Sequence, residues 1–190
     1  MREISVQDLM VPLEEYVTVS SDATLFDAVM ALEKAHEELD RTRYTYLHRA
    51  ILVYDENKKI VGKISQLDVL RSLEPKYGDM GDQGTLSRAG FSPQFLRSML
   101  ERYSLFDRPL HDVCTKAAKI RVTDFMHKPT EGEYIEETAS LGEAIHQLIM
   151  GRHQSLLVTK EKNIVGILRL TDVFKHIFQT MKTCEIPQEG

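Results

Sequence analysis

The sequence has few of the features that mark secreted, membrane-spanning or metal-binding proteins. Its 190 residues include two cysteines, Cys114 and Cys184, which are far apart and belong to no Cys-x-x-Cys or Cys/His cluster. The pattern therefore indicates neither a disulfide framework nor a zinc site, and we expect two reduced thiols. The longest apolar runs, residues 50–54 and 164–168, are only strand-sized, and no signal-peptide core is recognisable. We expect a cytoplasmic protein without a membrane partner.

An excess of positive charge is also missing. The formal net charge is −5 and the isoelectric point is about 5.8, so long-range attraction to nucleic acid or anionic lipid is not expected. A local basic pocket is still compatible with this balance. With 42% hydrophobic residues, the chain can bury a core as one domain or as two small ones.

Catalytic groupings are not recognisable either. Enzymes need a nucleophile with its base, two converging carboxylates or a metal cluster, and the sequence shows no such grouping. The seven histidines are scattered, without ligand spacing beside another histidine or a cysteine. We predict that the protein is not an enzyme and requires no cofactor.

What the sequence does contain is an internal repeat, which decides the architecture. The pattern Val-x-Asp-x-Met at residues 6–10 recurs 116 positions later, from Asp8 to Asp124. The pattern Ile-Val-Gly with a later Asp-Val recurs 104 positions later, from Asp68 to Asp172. The first copy therefore has about a dozen extra residues. We place them in the polar stretch 35–49, because lengthening a surface connection costs little.

Each copy predicts the element order β-α-β-β-α. The first helix is opened by Asp22 or Thr24 in one copy and by Ser140 in the other. Two β-rich runs joined by a polar turn follow, and then a second helix. The predicted bounds of the strands and the last helix are 16–20, 50–54, 60–65 and 67–73, and in the second copy 134–136, 155–159, 164–169 and 171–181. Because such a unit is too small to bury its sheet alone, we expect the copies to pack sheet to sheet.

These residues resemble the cystathionine-β-synthase-type (CBS) repeat. The resemblance rests on the opening Asp-x-Met of each copy, the strand-to-helix passage at residues 17–29, and the closing glycine and aspartate before the last helix. It implies a mixed α+β (α/β) fold of two CBS repeats with pseudo-twofold symmetry, known as a Bateman module, with a mostly helical insert between them. The predicted division is repeat 1 at 1–73, a linker at 74–119, repeat 2 at 120–182 and a tail at 183–190.

The resemblance also implies a ligand and a partner. Family members bind AMP, ADP, ATP or S-adenosylmethionine in clefts between the repeats, and two modules often pair into a disc-like homodimer. We therefore predict a regulatory adenosyl-nucleotide-binding module that acts on a separate partner protein. The alternative is a ligand-independent dimerisation or interaction scaffold.

In the first copy the family's ligand motif, Gly-x-x-Ser/Thr-x-x-Asp, is complete, with Gly62, Ser65 and Asp68. A carboxylate can accept hydrogen bonds from both ribose hydroxyls, while a hydroxyl and free backbone N–H groups at a helix start can hold a phosphate. Ser-x-x-Asp is equally typical of a capping box, and an acid in the first turn suits the helix dipole. Both interpretations stay open, and they are compatible.

The second copy departs from the motif, because Arg169 stands where serine or threonine is expected and Asp172 is kept. Arg169 could pair with a phosphate through its planar fork, or its bulk could fill the cleft. Thr171 could supply a substitute hydroxyl. The sequence leaves these alternatives open.

An adenine ring would need an apolar slot, which the resemblance places beside the first strand of a repeat. Ordinary core packing is the alternative interpretation of every candidate. The candidates are Met10, Tyr16 and Val17 in the first copy and Met126, Tyr134 and Ile135 in the second. Lys63, Arg49, Arg152 and Lys128 are candidate cations for a phosphate, with solvated side chains as the alternative.

Residues 92–106 of the linker predict an amphipathic helix. Ser92 and Pro93 suit its start, and its apolar residues fall on one face. They are Phe95, Leu96, Met99, Leu100, Tyr103 and Phe106. This face could pack on its own module or form a dimer seam or a partner surface.

Overall fold

The structure is a computed structural model that describes residues 4–80, 90–106 and 112–183. Cys184, most of the predicted tail, and residues 81–89 and 107–111 of the predicted linker lie outside the described residues. Cys114 is a free, exposed thiol. Among the helices that the structure describes, none is both long enough and apolar enough to cross a lipid bilayer.

The first repeat follows the predicted order of elements. It contains β1 (Val11–Pro12), β2 (Thr18–Ser20), α1 (Leu25–Glu37), β3 (Ala50–Tyr54), β4 (Ile60–Ser65) and α2 (Gln66–Ser72). Thr24 caps α1, since its hydroxyl accepts a hydrogen bond from the Asp27 N–H and Asp27 bonds back to Thr24. β2 begins two residues later than predicted, and a 3₁₀ turn at Leu13–Glu15 precedes it.

The second repeat has the same order. After the linker helices α3 (Pro93–Arg102) and α4 (Val113–Ala117) come α5 (Val122–Phe125), β5 (Tyr134–Glu136), α6 (Leu141–Gly151), β6 (Ser155–Lys160), β7 (Asn163–Arg169) and α7 (Leu170–Thr183). Ser140 caps α6 in the way that Thr24 caps α1. The repetition predicted from the sequence is therefore also a repetition of structure.

The two repeats exchange their first segments. Each repeat has a parallel pair followed by an antiparallel pair, β2-β3-β4 and β5-β6-β7, but β1 pairs with β7 of the other repeat, Val11 opposite Ile167. Reciprocally, His127 bridges to Lys63 of β4 through two backbone hydrogen bonds of 2.9 Å. One buried cluster accordingly combines residues of both repeats, including Leu52 and Leu157.

The extra residues of the first repeat form mainly a loop. Residues 38–49 join α1 to β3, whereas residues 152–154 suffice between α6 and β6. Tyr44 and Arg43 hold this loop through hydrogen bonds of 2.5 Å to Glu15, and His36 Nε2 lies 2.7 Å from the His48 carbonyl oxygen. We call residues 38–49 the insert loop.

The linker helix α3 is shorter than predicted and has no buried residue. Phe95, Leu96 and Leu100 are each 45–48% exposed, so within the described residues its apolar face is not covered by its own module. The chain after the helix is attached instead: Leu105 is buried, and the Phe106 N–H donates to Glu74 Oε2 at 2.7 Å.

The exchange of first segments explains why each repeat has a glycine at the position of Gly62 and Gly166, where a segment of the other repeat packs closely. A Cβ atom on Gly166 would lie 2.6 Å from the Val11 carbonyl oxygen, which the β1–β7 pairing holds in place. A Cβ atom on Gly62 would instead lie 2.3 Å from Met126 Sδ and 2.9 Å from Met126 Cγ, atoms of a flexible side chain that can change rotamer.

We therefore expect Gly166→Ala to lower the free energy of unfolding by about 2 kcal/mol, and Gly62→Ala to cost less. Urea unfolding of the two variants beside the wild type tests this difference. Equal losses would contradict the proposed role of the Val11 backbone.

Candidate ligand-binding site

A cavity of about 450 Å³ opens between the two repeats, where β3 and β6 begin and β4 and β7 end. Equivalent segments of both repeats line it. Leu47, Arg49 and Ala50 lie on one side with residues 152–155 as their counterparts, and residues 65–68 have Arg169 and Thr171 as theirs. We call the part around Asp68 the first cleft and the equivalent region around Asp172 the second cleft.

Ser65 and Asp68 line the first cleft, and they form the capping box that the sequence allowed. The Ser65 hydroxyl accepts from the Asp68 N–H at 3.2 Å, while Asp68 Oδ2 accepts from the Ser65 N–H at 2.8 Å and from the Ser65 hydroxyl at 2.6 Å. Among the described residues, all these hydrogen bonds to the carboxylate end on Oδ2, so Oδ1 is left for another donor. Helix capping here does not prevent ligand binding.

The cavity is basic although the chain is acidic. Arg49, Lys63, Arg152 and Arg169 line it together with one acid, Asp68. Lys63 and Arg169 are paired with carboxylates, whereas Arg49 and Arg152 are exposed and have no carboxylate within 4 Å among the described residues. Lys128, the fourth candidate cation, does not line this cavity. Such a concentration of cations in a concave site attracts anions.

A polar triad that sequence reasoning missed stands beside the first cleft. Glu133, 4% exposed, lies between Lys63 Nζ at 2.7 Å and His127 Nε2 at 2.5 Å, and it also accepts from the Thr130 N–H. Burial opposes ionisation of Glu133, but the hydrogen bonds from His127 and Lys63 outweigh it and lower its pKa to about 2. The carboxylate is therefore charged at neutral pH and fixes Lys63 at the cavity wall.

A signal for this triad was present in the repeat. At the offset of 116 positions, His127 and Glu133 correspond to Val11 and Val17, and Lys63 corresponds to Ile167 at the offset of 104. The three apolar counterparts are all buried in one cluster. The three residues of the triad are polar or charged where the other copy has apolar residues. They are therefore found only by comparing the positions at which the two copies differ.

In the second cleft, Arg169 is turned onto Asp172. The guanidinium donates from Nε to Oδ2 at 2.5 Å and from Nη2 to Oδ1 at 2.7 Å, and Arg169 is 4% exposed. Both carboxylate oxygens are therefore occupied by the protein itself. Arg169 is thus already paired with a carboxylate of its own repeat, while its side chain also lines the cavity.

The insert loop covers this ion pair. Arg169 Nη1 donates to the Tyr46 carbonyl oxygen at 3.1 Å and lies 3.2 Å from His48 Nδ1, and its Cζ atom is 5.5 Å from the centre of the Tyr44 ring. His48 packs in turn against Tyr16, with ring centres 4.4 Å apart. The second cleft thus contains a buried set of polar and aromatic side chains.

The remaining candidate residues lie away from the first cleft. Tyr16 and Val17 line another cavity of about 460 Å³ beneath the insert loop, which also has Glu14, Glu38 and Asp40 in its wall. Met10 approaches the position of Gly166 and Met126 that of Gly62. Ile135 is buried in the core of the second repeat, and Tyr134 is partly buried beside a core cluster. The structure therefore gathers Lys63, Ser65, Asp68, Arg169 and Thr171 around one cavity.

The environment of His48 makes stability depend on pH. Burial, and then the charge of Arg169, lower the pKa of His48 to about 4, whereas an unfolded histidine titrates near 6.5. Between these values the unfolded chain binds a proton that the folded chain does not, so stability is complete above about pH 6.5 and falls as the pH decreases toward 4.

We expect this residue to account for up to about 3 kcal/mol of unfolding free energy between pH 6.5 and 4. Urea unfolding across that range should show a loss that His48→Gln removes. His153→Gln, at the equivalent, partly buried position of the second repeat, is the control. An unchanged pH profile in His48→Gln would contradict the assignment.

Two interlocked β-α-β-β-α repeats that enclose a cleft define a tandem-repeat module. The model of the CBS domain family matches residues 6–75 and 122–179, which is more than half of the chain. The chain therefore belongs to the CBS domain family and carries two copies of the domain. Among the described residues, no group of three or more His, Cys, Asp or Glu is placed to hold a metal ion.

Solved structures with this fold include CBS-pair proteins. CBSX2 from Arabidopsis thaliana is 17% identical, covers 96% of this chain and 99% of its own, and has a TM-score of 0.58. A structure of CBSX2 in complex with AMP is 18% identical over 93% of this chain and 98% of its own, with a TM-score of 0.56. The CBS domain of a membrane protein from Sphaerobacter thermophilus is 22% identical over 92% of this chain and 88% of its own, with a TM-score of 0.57. A comparison with curated protein sequences gave no match.

Proposed function

We propose that this protein is a regulatory module that binds an adenosyl nucleotide in the first cleft and acts without catalysis, in the cytoplasm, on a partner protein. The observation that carries the proposal is the basic cavity between the repeats, which has a Ser65–Asp68 helix start in its wall. The AMP complex of CBSX2, a protein of the same fold, supports the choice of ligand class.

Different residues of the cleft contact different parts of the ligand. Asp68 Oδ1 accepts from the ribose, because Oδ2 already serves the capping box. Arg49 and Arg152 contact the phosphates, since both are exposed at the cavity and neither has a carboxylate partner among the described residues. Lys63, held by Glu133, adds a fixed positive charge.

The excess of cations sets an order among the candidate ligands. Each additional phosphate adds negative charge near Arg49 and Arg152, so ATP and ADP bind more tightly than AMP. S-adenosylmethionine carries a sulfonium cation and binds most weakly.

Regulation follows from the position of the cavity. Arg49 belongs to the first repeat and Arg152 to the second, so one ligand contacts both and favours the arrangement in which they approach each other. The change transmitted to the partner is limited by the difference in ligand affinity between the two arrangements.

Isothermal titration calorimetry with ATP, ADP, AMP and S-adenosylmethionine tests the proposal. We expect ATP to bind most tightly, and Asp68→Ala and the double variant Arg49→Ala/Arg152→Ala each to weaken it at least tenfold, equivalent to about 1.4 kcal/mol. Lys128→Ala, which removes an exposed cation outside the cavity, is the control. Absence of binding for all four ligands would refute the proposal.

A ligand-independent scaffold is the second candidate, because both repeats expose apolar helix faces. The large exposed side chains are Phe26, Val29 and Met30 on α1, Leu67 and Leu70 on α2, Ile149 and Met150 on α6, and Leu170, Phe174, Phe178 and Met181 on α7. Since equivalent helices of both repeats present such faces, a second copy of the chain is the partner they fit best. Self-association in analytical ultracentrifugation without any nucleotide binding would favour this candidate.

A further inference from the structure

The two clefts differ at the residue that decides whether the aspartate is available. In the first cleft Ser65 bonds to one carboxylate oxygen of Asp68. In the second cleft Arg169 occupies the position of Ser65 and bonds to both oxygens of Asp172. A ribose that needs a free carboxylate oxygen finds one only in the first cleft.

The surroundings of the two aspartates also make Asp172 less available to a ligand than Asp68. Arg169 is fixed from above by the Tyr46 carbonyl oxygen and by His48, and Tyr16 packs on the His48 ring. At the offset of 116 positions, Tyr16 corresponds to Gly132, which has no side chain and whose added Cβ atom would lie 3.9 Å from His153. The first cleft therefore lacks the tyrosine ring that packs against the histidine of the second.

We infer that Arg169, held by Asp172 and the insert loop, is a built-in occupant of the second cleft, so that each chain takes one nucleotide. A nucleotide entering there would have to separate Arg169 from Asp172 and leave a buried guanidinium without its carboxylate, which is strongly unfavourable. This inference rests on the proposed function for the identity of the ligand. It concerns the number of sites and the residue that sets it.

Equilibrium dialysis with ATP measures the number of sites per chain. We expect one site in the wild type and two in Arg169→Ser, which copies the Ser-x-x-Asp of the first cleft. Arg71→Ser removes the same charge from an exposed position outside both clefts and should remain at one. Two sites in the wild type, or one site in a folded Arg169→Ser variant, would overturn the inference.

Asp68→Ala in the otherwise unchanged chain gives an answer even if Arg169→Ser does not fold. ATP binding that is weakened at least tenfold, with no site of wild-type affinity left, supports the inference, whereas one remaining site of unchanged affinity contradicts it. If the wild type binds no ATP, the proposed function fails by itself. In that case a site gained in Arg169→Ser supports the closed second cleft, and no gain overturns it.

Discussion

Asp172→Ala should lower the free energy of unfolding by about 3–5 kcal/mol, because removal of one partner leaves a buried charge uncompensated. The Arg169 side chain is only 5% exposed, and Asp172 accepts two of its hydrogen bonds. The remaining contacts, to the Tyr46 carbonyl oxygen and to His48, supply no negative charge. The guanidinium would therefore stay buried without a counter-ion or pull out of the insert loop.

The matched control is Asp68→Ala, at the same position of the other repeat. Asp68 has a capping box and no cationic partner within 4 Å among the described residues, so its loss should cost about 1 kcal/mol. Urea unfolding at pH 7 without nucleotide compares the two variants. Equal losses would show that the Arg169–Asp172 pair contributes no more than a helix cap does.

The sequence predicted the architecture well because its evidence is local and doubled. The offsets between Asp8 and Asp124 and between Asp68 and Asp172 indicate that both copies have the same order of elements. Thr24 and Ser140 indicate helix starts, because serine and threonine are favoured N-cap residues. CBS membership and the mixed fold were confirmed. Each of these features depends on residues that are close together in the chain.

The sequence could not predict which repeat each first segment joins. Val11 and Pro12 are too few to show a strand pattern, and their partner Ile167 is far away in the chain. Whether Arg169 faces a ligand or Asp172 is likewise decided by contacts with the insert loop, most of which has no counterpart in the three-residue connection of the second repeat. Such non-local choices leave no periodic signal.

The polar triad was missed for a different reason. Similarity between the copies revealed the repeat, whereas Glu133 and His127 are visible only as departures from their apolar counterparts. The triad and Arg169 are departures of this kind. Lys63, His127 and Arg169 line the cavity that contains Asp68, and Arg169 is paired with Asp172. In a tandem repeat, residues that share a pattern build the fold, and residues that break it distinguish the two sites.

Glu133→Val should destabilise the protein by about 3 kcal/mol or more, because Lys63 is only 13% exposed and would lose its one carboxylate partner among the described residues. This loss of unfolding free energy is smaller at acidic pH. The pKa of Glu133 is about 2 in the folded state and 4.5 is its ordinary value, so the stability that it contributes is complete above about pH 4.5 and decreases as the pH falls toward 2. Urea unfolding at pH 7 and at pH 3.5 should therefore show a larger difference between Glu133→Val and the wild type at pH 7.

The triple variant Lys63→Ile/His127→Val/Glu133→Val should recover the stability that the single variant loses. It rebuilds the apolar contact that the other repeat makes with Val11, Val17 and Ile167, and a buried ion pair replaced by well-packed apolar residues is often neutral or stabilising by about 1–4 kcal/mol. The same variant should bind ATP less tightly, since Lys63 and His127 line the first cleft. Recovered stability with weakened binding would mean that the triad is kept for the ligand. A triple variant as unstable as Glu133→Val would mean instead that the charged contact is needed for the fold.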